Sequence, residues 1–335
     1  MSAIDPIPTV AAAPIVEEAK AAAAKLHEAR RAVADVIFGQ ETVVERALTT
    51  VLAGGHGLLV GVPGLAKTKL VDTMGTVLGL SASRIQFTPD LMPSDILGSE
   101  ILEESADHTR SFRFIRGPVF AQLLMADEIN RASPRTQSAL LQSMQEHFVT
   151  IAGQRYDLPR PFHVLATQNP IEQEGTYPLP EAQLDRFLMQ IDVLYPDIDA
   201  ERRMLFETTG AEEPQPRAVL SAEELMQIQH LVRRMPVGEA VVESILKLVR
   251  ALRPGEASRE VGEQISWGPG PRASQALMLT VRARALLDGR FAPSLDDVEA
   301  LATAVLQHRM AVTFAARADG VGVRDLIADA IKNTL

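Results

Sequence analysis

Gly61-Val62-Pro63-Gly64-Leu65-Ala66-Lys67-Thr68 constrains this chain more than any other stretch. It follows the apolar run Gly57–Val60 and opens a helical pattern that continues to about Leu78. A strand, a glycine-containing loop, Lys-Thr and then a helix make the layout of a phosphate-binding loop. Such a loop turns successive backbone N–H groups inward and adds the positive end of a helix. A lysine in this place reaches the β- and γ-phosphates, and the threonine hydroxyl can bind Mg²⁺. The general pattern has Gly before Lys-Thr, whereas Ala66 stands here. Alanine lacks glycine's freedom at positive φ, so the loop is expected to close with an ordinary backbone at that point. Pro63 fixes a second φ.

The remaining strands are expected at Arg84–Phe87, Leu123–Asp127, Phe162–Thr167 and Phe187–Val193. Helical patterns separate them at Lys67–Leu78, Arg135–His147 and Ala200–Thr208. Near-continuous apolar strands spaced by helices imply an α/β fold with a parallel five-stranded sheet covered on both faces. Two hairpin signals interrupt the rhythm, at about 101–116 and 148–158. Residues 1–16 read as a flexible arm, 17–209 as the α/β core and 210–217 as a linker. Residues 218–335 read as an all-helical domain, with capping-box starts at Ser221 and Ser294. Its helices are expected at 222–235, 238–252, 272–288, 295–309 and 321–333.

Composition excludes several classes. Without cysteine there is no disulfide, thiolate chemistry or cysteine-bound metal, which fits a cytoplasmic location. The N-terminus lacks the basic region of a signal peptide, and no apolar run reaches the roughly 18 residues of a membrane helix. A net charge of −10 makes nucleic acid an unlikely partner. The seven histidines form no metal-binding pattern and read as surface or core residues.

Further motifs lie downstream of the loop. Leu123–Ala126 is an apolar strand ending in Asp127 and Glu128. The aspartate suits the Mg²⁺ water shell, and the glutamate suits polarisation of an attacking water. Asn169 tips another apolar strand, where it can orient that water or form part of an Asn-Pro turn. Arg186 ends a helical stretch, placed for transition-state charge on a neighbouring subunit or for a surface salt bridge. Arg272 sits in the first turn of a helix, against the usual charge preference, and so calls for a partner such as a phosphate across the interdomain cleft.

In this order, these elements resemble the AAA+ ATPases over nearly the whole chain beyond the arm. More narrowly they resemble the MoxR family, on Gly-Val-Pro-Gly-Leu-Ala-Lys-Thr (61–68), Ala-Asp-Glu-Ile-Asn-Arg-Ala (126–132) and Thr-Gln-Ser-Ala-Leu-Leu (136–141). Ala-Thr-Gln-Asn-Pro (166–170), Glu-Ala-Gln-Leu-Asp-Arg-Phe (181–187) and Gly-Pro-Arg-Ala-Ser (270–274) add to it. The resemblance implies an AAA+ P-loop core followed by a helical lid. It implies ATP and Mg²⁺, bound by Gly61, Val62, Pro63, Gly64, Leu65, Ala66, Lys67, Thr68 and Lys69 (Walker A), with Asp127 and Glu128 as Walker B. Thr68 and Asp127 are then the metal-side residues. Asn169 falls at sensor 1, Arg186 at the arginine finger, Arg272 at sensor 2, and Gly39 and Gln40 at the adenine pocket. Arg131 is a further candidate for a subunit interface. The family further implies a homo-oligomeric ring of six and a protein client, such as one with a von Willebrand factor A domain. Related insert-bearing ATPases work as chelatase subunits or DNA motors, and a non-hydrolysing ATP switch is a third alternative.

Overall fold

The apolar runs assemble into one parallel sheet. The structure, a computed structural model, describes residues 12–104, 110–172, 175–210 and 215–335. Helices α1 (Ala12–Ala34) and α2 (Glu41–Leu52) come first. Strand β1 (Gly57–Val60) leads into α3 (Lys67–Val77), and β2 (Ala82–Gln86) into the short α4 (Pro93–Leu97). An antiparallel hairpin of β3 (Gly98–Glu104) and β4 (Arg110–Arg116) precedes β5 (Leu123–Asp127) and α5 (Pro134–Glu146). A second hairpin, β6 (Phe148–Ile151) and β7 (Gln154–Asp157), precedes β8 (His163–Gln168) and α6 (Glu181–Leu184). Strand β9 (Met189–Asp192) and α7 (Ile198–Thr208) complete the core. The C-terminal part comprises α8 (Ala222–Arg234), α9 (Glu239–Ala251), α10 (Arg259–Gln264), β10 (Ile265–Trp267) and α11 (Pro271–Leu287). It ends with α12 (Leu295–Leu306), β11 (Ala311–Val312), α13 (Phe314–Ala318) and α14 (Val323–Thr334).

The sheet order is β2-β5-β8-β1-β9, with every neighbouring pair parallel. Because side chains alternate across a strand, each run feeds both faces. Leu59, Leu123, Met125, Leu165 and Ile191 pack toward α1, α2, α3 and the C-terminal helices. Leu58, Leu124, Ala126, Val164 and Ala166 pack toward α4 and α5. The register aligns Val60 with Gln168 and Gln86 with Asp127, so the polar strand tips share one rim. That rim is where ligands sit in open α/β sheets.

Several boundaries differ from expectation. Residues 12–16, read as part of the arm, belong to α1, whose alanine-rich sequence favours helix. Residues 1–11 of that arm lie outside the described residues, as do 105–109 within the first hairpin and 211–214 of the linker. Strand β2 begins at Ala82 and ends at Gln86. It is an edge strand that buries only Ile85, so its polar start gave no apolar signal. The C-terminal part is not all helical: Ile265–Trp267 and Ala311–Val312 pair as a small antiparallel sheet. Residues 307–309, expected to continue the helix from 295, form a separate 3-10 turn.

Candidate nucleotide site

The loop leaves β1 against the exit of β9. A Cβ on Gly61 would lie 2.5 Å from the Val193 carbonyl oxygen, so no side chain fits there. Gly64 takes a left-handed turn at φ 84°. Ala66 does the same, at φ 54° and ψ 21°, immediately before α3. The expected ordinary backbone at Ala66 is therefore wrong. The turn into the helix imposes left-handed geometry, and the loop holds alanine in it at a cost of about 1–2 kcal/mol. Lys67 Nζ donates to the carbonyls of Gly61 and, at 3.3 Å, of Val62, which keeps it folded over the loop. Burial lowers the Lys67 pKa, against the opposing charges of Asp127 and Glu128.

Pro63 to Lys69 line a cavity of about 390 Å³ together with Asp127, Glu128 and Asn169. Asp127 is buried. Its Oδ1 accepts from Thr167 Oγ1 at 2.6 Å, and its Oδ2 accepts from Arg84 at 2.6 Å. Glu128 has left-handed backbone, and its N–H donates to the same Thr167 oxygen at 2.8 Å. The Glu128 carboxylate accepts from Gln86 at 2.9 Å and from Arg131 at 3.3 Å. Strands β2 and β8 therefore hold Asp127 from either side, while β8 fixes the Glu128 backbone and β2 its carboxylate. Sequence reasoning missed Arg84, Gln86 and Thr167; only the parallel register, which pairs Gln86 with Asp127, reveals them. Asn169 serves the turn, its Oδ1 accepting from the Ile171 N–H at 3.1 Å, while the residue still lines the cavity.

Thr68 and Asp127 border the same space, and no cluster of three or more acidic or histidine ligands occurs among the described residues. That donor set fits Mg²⁺, which takes one or two protein oxygens and completes its shell with phosphate and water. It does not fit a metal held by protein alone.

A second cavity, of about 430 Å³, is lined at the exit of β9 by Asp192 and Leu194, which flank the Val193 whose carbonyl faces Gly61. Gly39, Gln40, Arg46, Tyr195 and Arg324 line it as well. Gly39 is at φ 66°, and a Cβ there would come within 2.4 Å of the Ala200 Cβ. Gln40 donates to the Leu194 carbonyl at 2.7 Å.

Arg186 and Arg272 lie elsewhere. They share a third cavity, of about 230 Å³, with Asp185, His56 and Gln145, and neither is among the residues lining the loop cavity. Arg186 donates to the Leu141 carbonyl at 2.7 Å, and Arg272 pairs with Asp185 at 3.1 Å. Arg272 thus has a carboxylate partner, Asp185, next to Arg186.

Comparison with known proteins agrees with this geometry. Residues 56–189 match the family described as "ATPase family associated with various cellular activities (AAA)", and residues 257–330 match the AAA lid domain. Chaperone MoxR1 of Mycobacterium tuberculosis is 43% identical over 308 residues, covering 90% of this chain and 81% of that one. This chain belongs to the MoxR family of AAA+ ATPases. Protein MoxR of Methylorubrum extorquens is a more distant member at 30% identity, covering 84% of this chain and 85% of that one. A crystal structure from Cytophaga hutchinsonii superimposes with a TM-score of 0.86 at 37% identity, covering 95% of this chain and 96% of that one. Among the described residues of this MoxR-family chain, no helix is long and apolar enough to cross a membrane.

Proposed function

We propose that this MoxR-family protein hydrolyses ATP at interfaces between copies of itself and uses the cycle to remodel partner proteins. The observation that carries the reading is a division of labour. Lys67, Thr68, Asp127, Glu128 and Asn169 meet in one cavity, whereas Arg186 and Arg272 face another. A single copy therefore holds phosphate-binding and water-activating groups without the arginines that would offset transition-state charge. A ring, of six copies in this proposal, brings the missing arginines from a neighbour.

Within the loop cavity the α3 N-terminus and the inward N–H groups hold the phosphates, and Lys67 swings from the Gly61 and Val62 carbonyls onto the β/γ oxygens. Gly39 and Gln40 border the space for the base. Thr68 and Asp127 would hold Mg²⁺, which when bound would supply neutralisation of phosphate charge. Glu128, held by Gln86 and the Thr167 hydroxyl, takes the proton of the attacking water, and Asn169 orients that water. Arg186 of one copy stabilises the γ-phosphate charge in the next, and Arg272 joins it from the lid.

The name of the mycobacterial relative supports a chaperone-like output. The client, a protein with a von Willebrand factor A domain, and the cytoplasmic location are proposals from family resemblance. The −10 charge disfavours the DNA-motor alternative.

The test is ATP turnover against protein concentration, with mass measured with and without ATP. Turnover should rise cooperatively as copies assemble. Glu128→Gln should retain ATP binding and lose turnover, and Arg186→Ala should lose on the order of 10³-fold in turnover. Full turnover by a monomer, or an unimpaired Arg186→Ala, would refute the interface mechanism.

A further inference from the structure

Strand β9 is at the edge of the sheet, bonded only to β1. Its other edge, and the Asp185–Leu188 segment that leads into it, are covered by the 3-10 turn Gln307-His308-Arg309 of the C-terminal domain. Gln307 donates to the Gln190 carbonyl at 3.2 Å and to Asp192 at 2.9 Å. His308 donates to the Phe187 carbonyl at 2.9 Å. Arg309 donates to the Phe187 and Leu188 carbonyls at 2.6 and 3.0 Å and to Asp185 Oδ1 at 2.9 Å. The other oxygen of Asp185 accepts from Arg272 at 3.1 Å. Arg309 is only 2% exposed, the largest fully buried side chain among the described residues.

Besides capping its own helix through the Val305 carbonyl, the buried Arg309 guanidinium spends the rest of its fork on one carboxylate and the carbonyls of one short segment, which fixes the backbone of that segment. The fixed segment carries Arg186. From the structure we infer that Arg309 is a positioning residue: acting through Asp185, it holds Arg186 where a neighbouring copy can use it, with Arg272 as the second clamp on the same carboxylate. This rests on the reading of Arg186 as the residue that completes a neighbour's site. The lid thereby sets catalysis in the next copy rather than in its own. The distant end of the turn gives the device its reach. Gln307 and Arg324 both contact Asp192, which lines the cavity beside Gly39 and Gln40, so β9 links that cavity to Arg186.

Mixed assemblies test this. Asp185→Asn breaks the clamp on both arginines; Arg309→Lys keeps the charge but cannot span the carboxylate and the carbonyls together. Each variant is assayed alone for ATP binding, thermal melting and turnover, then mixed with Glu128→Gln copies, which cannot hydrolyse but carry an intact Arg186. Expected are ATP affinity within about twofold of wild type and turnover lowered at least ~10-fold for the variant alone, as misplacement of a catalytic group by an ångström costs up to ~10². Mixing should restore turnover, because the Gln copies present a well-placed arginine to the variant's own sites. A general folding defect would not be repaired by mixing. Unimpaired turnover in both variants, or a loss that mixing leaves in place, overturns the inference. Arg186→Ala run alongside separates the two claims. If it too is unimpaired, the interface mechanism falls. If it is inactive alone and rescued on mixing while both clamp variants behave as wild type, only the positioning role falls.

Discussion

Two non-glycine residues of the nucleotide site hold left-handed backbone, Ala66 at φ 54° and Glu128 at φ 55°. Each costs about 1–2 kcal/mol for an L-residue and persists because neighbours dictate the turn. At Ala66 the strain can be removed directly. Ala66→Gly relieves it but frees the unfolded chain by about 0.4–1 kcal/mol, so a net gain in stability of up to about 1.6 kcal/mol is expected. Urea unfolding measures it, and a loss of stability would contradict the left-handed turn. Glu128 depends instead on Thr167, fully buried, whose one hydroxyl donates to Asp127 and accepts the Glu128 N–H. Thr167→Val keeps the shape and leaves both partners unmet, a cost of about 1–3 kcal/mol. Turnover should fall while ATP binding persists, since the phosphate loop itself is untouched. If steady-state turnover per bound ATP were unchanged, Thr167 would not be what holds the water-activating glutamate. Neither feature was legible beforehand. Ala66 was read from its intrinsic preference, which the loop overrides, and Thr167 looked like one more residue of an apolar strand.

The elements carry a pH dependence built from buried histidines. His56 precedes β1 and His163 opens β8, with ring centroids 6.5 Å apart. His56 accepts from the Val164 N–H and donates to the Met144 carbonyl; His163 donates to the Gly55 carbonyl and accepts from Gln229 of α8. These bonds need neutral rings. Burial pushes His56 down to about 3 and His163 down to about 4. Below the ordinary histidine value of about 6.5 the unfolded chain takes up protons that the folded chain refuses. Their contribution is therefore fully present above about pH 6.5 and is lost progressively as pH falls toward the folded values. Two such groups imply a loss of about 2.5 kcal/mol between pH 7.5 and 5.5, and His308, also buried and held well below its ordinary value, adds to it. Denaturant unfolding at the two pH values checks this, and His163→Gln should shrink the difference by about one third. The sequence showed the strands because Leu58-Leu59 and Val164-Leu165 are apolar on both faces, as a covered parallel sheet requires. It hid the polar start of β2 and the whole β10–β11 pair, where Ser83 and Ser266 interrupt any apolar run. The 307–309 turn was hidden too, because its polar side chains are satisfied by carbonyls far away in the chain, a pairing that no local pattern encodes.

At the scale of the molecule, the linker near residue 210 reads as a domain boundary, yet the packing crosses it. One apolar cluster runs from Leu26 and Val33 of α1 through Leu59 and Ile191 of the sheet to Leu248, Leu277 and Leu301 of the C-terminal helices. Separately folding domains meet through smaller, more polar interfaces. Here α1 lies between the parts, and the turn at 307–309 places a buried arginine on the edge of the sheet. A lid joined in this way does not swing freely against its own core. The same packing predicts that the chain unfolds as one unit. Calorimetry on dilute protein without nucleotide should give a single transition whose calorimetric and van't Hoff enthalpies agree. A fragment ending at residue 217 would expose the α1, α2 and β9 faces that the lid covers, and it should be insoluble or lack a cooperative melt. Two separated transitions, or a core fragment that melts cooperatively at the temperature of the full chain, would mean that the apolar cluster does not couple the halves. The lid would then be free to move within a copy, and the link from Arg309 to Arg186 would have to act without a rigid body behind it.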